Sequence, residues 1–413
     1  MMPNDWEMCK LEDIFRVIDS LHKTPKFSDT GKPMIRVTDI KGGLLDLSNT
    51  VRVSDDVFRE FTKKYLPKKN DIVFSRVGSY GISAYVATDE PFCLGQNTVI
   101  AESNSNAEPK YIFNILKSSY IKRQIERTVD GSSHKTVSLR VIRNLDLPIP
   151  PLPEQQKIAK ILTTWDKAID TTERLIDNSK QQKKALMQQL LTGKKRLLDE
   201  NGKRFEGEWE EVKLGDLYSF KRGKGISKGQ LTDSGNKCVL YGELYTYYGE
   251  VINEVKSRTL ETNSVKSKKY DVLIPASTTT TGIDLANATA VLEDDILLGG
   301  DINILRPNKS INSIFMAHLL THFKKHEIAR KAQGITIIHV YGKDLANIAV
   351  QLPDSLKEQQ KIAAVLTNAD KEIELLEQQL TDLQQEKKAL MQVLLTGKKR
   401  VRIDEEIVYK IGL

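Results

Sequence analysis

The stretch KKALMQQLLTGKKRL starting at Lys183 returns as KKALMQVLLTGKKRV starting at Lys387, 204 positions further on. Self-similarity at so long a separation commits the chain to two copies of one architecture. The match is wider than that sentence: from Glu154 to Arg196, 26 of 43 positions are identical to those from Glu358 to Arg400. Fainter echoes precede each copy. WEMCKLEDIF from Trp6 answers to WEEVKLGDLY from Trp209, and DIVFSRVGSYG from Asp71 to DVLIPASTTTTG from Asp271. The expected organisation is a variable domain (1–150), a constant segment (151–197), a second variable domain (198–352), a second constant segment (353–401) and a tail (402–413).

Each constant segment has the periodicity of a long helix. Steps alternating four and three from Ile158 land on Leu162, Trp165, Ile169, Thr172, Ile176, Ser179, Lys183, Leu186 and Leu190. In the second copy they run from Ile362 through Leu366, Ala369, Ile373, Leu376, Leu380, Leu383 and Lys387 to Leu390 and Leu394. Pro153 opens the first helix, Ser355 with Glu358 forms a capping box for the second, and Gly193 and Gly397 close them. The pattern predicts about 40 residues, or roughly 60 Å, per helix. A two-per-heptad stripe needs a partner stripe, and the other copy supplies one. Because the first helix leads into the second variable domain and the second leaves it, the expected pairing is antiparallel, with a pseudo-two-fold axis.

Composition excludes little. The net charge of +7 comes from 62 basic and 55 acidic residues, which permits a nucleic-acid partner without requiring one. Three scattered cysteines show no disulfide or thiolate-metal spacing and fit a reducing compartment. With no apolar run near the roughly 18 residues of a membrane span, the expectation is a cytoplasmic protein with no membrane partner.

A dyad-related pair of different domains suits double-stranded DNA, on which paired readers bind half-sites at fixed spacing. PPLPEQQKIAKIL, the two KKALMQ copies and the alternation of variable and constant segments together resemble the specificity subunit of type I restriction-modification systems. That resemblance implies an α+β chain: two α/β-type target recognition domains separated by two long helices forming an antiparallel coiled coil. It also implies no cofactor, no chemistry of its own, a bipartite DNA target, and recruitment of two methyltransferase subunits and motor-nuclease subunits. The residues agree, since no phosphate loop, amino-methylation motif or metalloprotease helix is present. The competing readings are a coiled-coil adaptor that binds no DNA and an enzyme with divergent motifs.

Candidate DNA contacts sit in glycine-punctuated loops. FSRVGSYGIS presents Arg76, Ser79 and Tyr80, the arginine suited to a base edge or a phosphate. GQNT offers Gln96 and Asn97, side chains that read adenine and equally cap turns. DGSSHKTVSLR contributes Ser133, His134 and Lys135. In the second domain FKRGKGISKG carries Lys221, Arg222 and Lys224 as a phosphate-binding loop. ASTTTTG sets Thr278, Thr279 and Thr280 in the place of Arg76 to Tyr80, and GITIIHVYGK adds Thr336, His339 and Tyr341. His318, His322 and His326 recur every four residues, a spacing open to metal, but the expectation is a basic helix face with no metal.

Overall fold

The computed structural model describes residues 2–78, 81–103, 107–128 and 136–403. Ser79, Tyr80, Ser133, His134 and Lys135 lie outside them. The chain forms two compact units: Met1–Glu173 with Gln378–Leu413, and Arg174–Glu377.

The first unit is built on a four-stranded antiparallel sheet in the order Arg16–Asp19, Thr98–Glu102, Ile72–Ser75, Ser83–Tyr85. Ile72, Val73 and Phe74 are buried in succession, so both faces of this strand are covered. A three-stranded sheet pairs Lys32–Ile35 antiparallel with Val51–Val53 and parallel with Cys93–Leu94. A ribbon of Glu7–Lys10 against Asp146–Ile149 joins the ends of the variable domain. The second unit repeats this scheme, with a sheet in the order Tyr218–Arg222, Ile302–Pro307, Val272–Pro275, Thr289–Ala290 and a ribbon of Trp209–Lys213 against Ala349–Pro353. Its smaller sheet is widened to five strands by Leu231–Thr232 and Val265–Lys266.

The constant segments are uninterrupted helices, Leu152–Leu190 and Leu356–Leu394, of 39 residues each. None of the twenty stripe positions is exposed. Ile158, Leu162 and Leu394 enter the first unit's core beside Trp6, Phe15 and Tyr111. Leu190, Ile362 and Leu366 enter the second unit's core. Between these ends Trp165, Ile169, Leu186, Ile373, Leu376, Leu380, Leu383 and Leu390 are half-buried, as a two-helix seam leaves them, while Ile176 is buried.

Ion pairs fix the direction of the pairing inside each unit. In the first, Glu154 bonds Arg400 and Asp166 bonds Lys387, so one number rises as the other falls. In the second, Arg196 bonds Glu358 and Lys183 bonds Asp370, the same positions displaced by 204. Lys183 and Lys387, the charged members of the apolar stripes, are thereby neutralised where they enter the seam. The helices are antiparallel in both units.

The helix ends follow the sequence with one revision. Gly193 and Gly397 adopt left-handed φ of 68° and 70°, and Lys195 and Lys399 donate back to Gln189 and Val393. The Ser355 hydroxyl accepts from the Glu358 amide at 3.3 Å, but the Glu358 carboxylate does not return to the cap. It is taken by Arg196 at 2.5 and 2.6 Å, because a charged, buried partner outcompetes a backbone amide for a carboxylate.

Candidate nucleic-acid interface

In each unit the same end of the main sheet gathers four segments, and its backbone is nearly identical in the two. In the first, Arg76 N donates to Asn97 O at 3.0 Å and Val137 N to Arg76 O at 2.8 Å. In the second, Ala276 N donates to Asp301 O at 2.7 Å and Val340 N to Ala276 O at 3.0 Å. Asn97 and Asp301 both take left-handed φ, 63° and 59°, which these residue types tolerate best after glycine. This register corrects the alignment drawn from sequence: Ala276, and not the threonine run, stands where the first unit has Arg76.

The side chains at this common frame differ. Arg76 spans the first unit's frame, donating from Nη1 to both Asp19 carboxylate oxygens at 3.0 and 3.1 Å and from Nε to Val137 O at 3.1 Å. Its side chain is only 16% exposed, so it braces the strand end and presents little surface. Gln96 beside it is exposed and Asn97 half-buried. In the second unit the ion pair is rebuilt from other positions: Arg222, at the end of the first sheet strand where Asp19 stands, bonds Asp301, where Asn97 stands. The same place thus offers carboxylate, guanidinium and amide in one unit and guanidinium, methyl and carboxylate in the other.

The lysine loop that follows is rigid. Gly223 N donates to Ile302 O, Lys224 N to Leu298 O and Gly300 N to Gly225 O, and a Cβ on Gly223 would meet Gly299 O at 2.0 Å. Lys221, Lys224 and Lys228 are exposed on this frame, a fixed row of cations suited to phosphate. The threonine run is mostly turned to internal work. Thr278 is buried, its hydroxyl meeting that of Thr280 at 2.8 Å, while Thr280 and Thr281 donate to Asp284 at 2.6 and 2.8 Å. Those hydroxyls hold the Asp284 carboxyl below its usual range. Thr279 is exposed.

His339 lies on the short strand Ile338–His339, paired with Ser277–Thr278, and its ring stacks 6.1 Å from that of Tyr341. The preceding loop carries exposed Thr336 and, just before it, Ile335, which is 100% exposed. Ile335 was not among the expected contacts, and neither were Asp19 and Asp301. The isoleucine was hidden in an apolar run, GITII, that reads as strand; the carboxylates lie 57 and 79 positions from the arginines they hold, beyond any local pattern.

Two matched frames with different polar groups at the same sheet end, each carried on a paired long helix, define a two-domain recognition protein. The profile described as type I restriction modification DNA specificity domain matches residues 3–180 and again 206–385, and the chain belongs to that family. It is 28% identical to the putative type I restriction enzyme MjaX specificity subunit of Methanocaldococcus jannaschii, over 97% of this chain and 95% of that protein. Identity to the MjaVIII specificity subunit of the same organism is 26%, over 97% and 94%. The crystal structure of the S subunit of a type I restriction-modification system from M. genitalium superposes with a TM-score of 0.62 at 18% identity, covering 95% of this chain and 97% of that one. No helix among the described residues is long and apolar enough to cross a membrane.

Proposed function

We propose that the chain reads a bipartite DNA sequence, one variable domain per half-site, as the specificity subunit of a type I restriction-modification complex. The proposed domain bounds are 1–150 and 198–352, with the helical segments 151–197 and 353–401 between and after them. The observation that carries this reading is the constancy of the frame against the change of its side chains. The Glu154–Arg400 and Glu358–Arg196 clamps match position for position, whereas Asp19, Arg76 and Asn97 give way to Arg222, Ala276 and Asp301. A scaffold held fixed while the side chains around it vary is what two different half-sites require.

In this reading Lys221 and Lys224 grip phosphate, which positions the domain, while Gln96, Thr279, Thr336, His339 and Tyr341 stand nearest the bases. Ser79, Tyr80, Ser133, His134 and Lys135 belong to the same proposed surface. Arg76 and Thr278 support it from behind, while exposed Arg222 and Thr280 belong to the surface itself. The long helices receive two methyltransferase subunits and the motor-nuclease subunits, for which exposed Leu175 and Leu375 offer apolar contact points. The chain itself transfers no methyl group and cuts no DNA. Three unbridged cysteines accord with work in the cytoplasm.

The test is exchange of residues 1–150 for the equivalent domain of a relative, followed by genome-wide mapping of methylated bases in cells that also express the methyltransferase subunit. One half of the methylated motif should change and the other persist. A motif altered in both halves, or in neither, defeats the reading.

A further inference from the structure

The second unit holds a polar cluster that the first lacks. Glu250 occupies the backbone position of Gly43: Ala290 N donates to Glu250 O in one unit and Tyr85 N to Gly43 O in the other. His318 and His322 lie on the helix Ser313–Phe323, whose counterpart is Pro109–Leu116. The amide that opens each helix region, from Asn312 or Glu108, donates to the equivalent glutamine, Gln359 or Gln155, which fixes the correspondence. The first unit has Asn114 and Ser118 where the second has the two histidines.

The three side chains converge. His322 Nε2 is 2.6 Å from Glu250 Oε1 and His318 Nδ1 is 4.0 Å from the same oxygen. Four residues apart on one helix, the two rings face the same way, with centroids 6.1 Å apart and planes inclined by 21°. One donor atom from each residue lies within 4.8 Å of the others. Tetrahedral zinc with bonds of about 2.0–2.1 Å sets neighbouring ligand atoms roughly 3.3 Å apart, within small side-chain rotations of this arrangement.

An independent observation points to a ligand. His318 is completely buried, yet neither ring nitrogen has a hydrogen-bond partner among the described residues. A neutral imidazole always has one lone pair and one N–H to satisfy. Nδ1 faces Glu250, and Nε2 faces Asp370 Oδ2 at 4.0 Å. That is the disposition of a histidine that coordinates through Nδ1 and donates its other proton to a carboxylate. Lys183 pairs with Asp370 and stands 3.9 Å from Glu250 Oε2, so one negative charge remains for the two imidazoles. A cleft of about 390 Å³ lined by Tyr248, Glu250, Thr367 and Asp370 opens beside the cluster as a route of entry.

We propose that Glu250, His318 and His322 bind a divalent transition-metal ion of the zinc type, with Asp370 orienting His318 from behind, as a structural site of the second unit alone. Histidine pairs spaced four apart with a carboxylate suit such ions better than calcium or magnesium, which take oxygen ligands. The site stands apart from the DNA-reading proposal, and its loss leaves that proposal untouched.

The full-length chain, stripped with chelator, is titrated with Co²⁺ followed by visible absorption and with Zn²⁺ followed by calorimetry. One Co²⁺ per chain with the intense bands of a tetrahedral site, displaced by Zn²⁺, is the expected result. His318→Asn, which installs the first unit's residue, and His322→Ala should each weaken Zn²⁺ binding by at least about 100-fold, since loss of an outer-shell partner alone costs 10–100-fold. Should either histidine variant fail to fold, Glu250→Gln decides the question, because its amide still accepts from His322 but is a poor metal ligand. Absence of stoichiometric binding by the native chain, or unchanged affinity in the folded variants, overturns the proposal.

Discussion

Arg196→Ala and Arg400→Ala remove equivalent guanidinium groups from equivalent buried glutamates, yet they should not cost the same. Glu358 and Glu154 both have fully buried side chains. Without its arginine, Glu154 keeps the indole N–H of Trp6, which donates to Oε2 at 3.1 Å. Glu358 has no such support, since the Trp209 indole N–H has no hydrogen-bond partner among the described residues. Arg196 is also the more enclosed, 17% against 43% exposed, and it holds the Glu206 and Gly207 carbonyls at 3.1 and 2.7 Å. Breaking a buried pair by deleting one partner costs about 3–5 kcal/mol, and Arg196→Ala should fall in that range. With one charge-assisted bond retained, worth about 1.5–3 kcal/mol, Arg400→Ala should cost roughly 2 kcal/mol. Amide hydrogen exchange read by mass spectrometry separates the units: Arg196→Ala should accelerate exchange in 206–213 and 349–366, and Arg400→Ala in 3–10 and 146–162. Adding Glu358→Gln to Arg196→Ala should recover part of the loss by removing the stranded charge. Equal destabilisation by the two variants, or no recovery in the double variant, would refute the reasoning.

Gly397→Ala should be costlier than Gly193→Ala: both force a left-handed φ on a side chain, about 1–2 kcal/mol, but the new methyl at 397 meets Pro3 Cδ at 2.3 Å whereas at 193 it meets the Trp209 ring at 3.2 Å, and thermal melts of the two variants will rank them. Lys221→Ala and Lys224→Ala should each lower the salt slope of DNA binding by about 1 while leaving the methylated motif intact, and a changed motif would reassign them to base reading. Four residues inserted in both long helices, near Thr172 and near Thr381, add roughly 6 Å and only about 40° beyond a full turn, whereas two residues rotate the seam by about 200°. Methylome mapping should find active four-residue variants with a gap longer by one or two base pairs and inactive two-residue variants; an unchanged gap would show that the helices tether without measuring.

The parts that follow a period were legible in the sequence. Heptad spacing found twenty positions of which none is exposed, and connectivity found their antiparallel sense. Even the lysines that broke the stripe mark the seam, because Asp166 and Asp370 meet them there. The parts that depend on distant pairs were not legible. Arg76 looks like an exposed reader in FSRVGSYG until Asp19 is brought beside it by the sheet. The threonine run looks like a row of donors until Asp284 takes two of its hydroxyls and a third turns to Thr280. A histidine stripe cannot disclose that Glu250, 72 positions before His322, completes it. Local propensity carries no record of contacts made across a sheet.

The two units are closed in different ways. In the second, the helix that ends at Leu190 runs on through an unbroken connection to Trp209. In the first, the matching join has no peptide bond: Arg400 bonds Asp5 at 2.7 and 2.8 Å, and Gly397 packs on Pro3. The second unit is one contiguous stretch of chain, while the first needs residues from both sides of it. On a ribosome elongating at roughly 5–20 residues per second, the earlier of the two domains is therefore completed after the later one, waiting for Leu394, Leu395 and Arg400 to leave the exit tunnel. Through that interval its apolar surface beside Trp6 and Tyr111 is uncovered, so of the two domains it is the earlier one that stays open longer during synthesis.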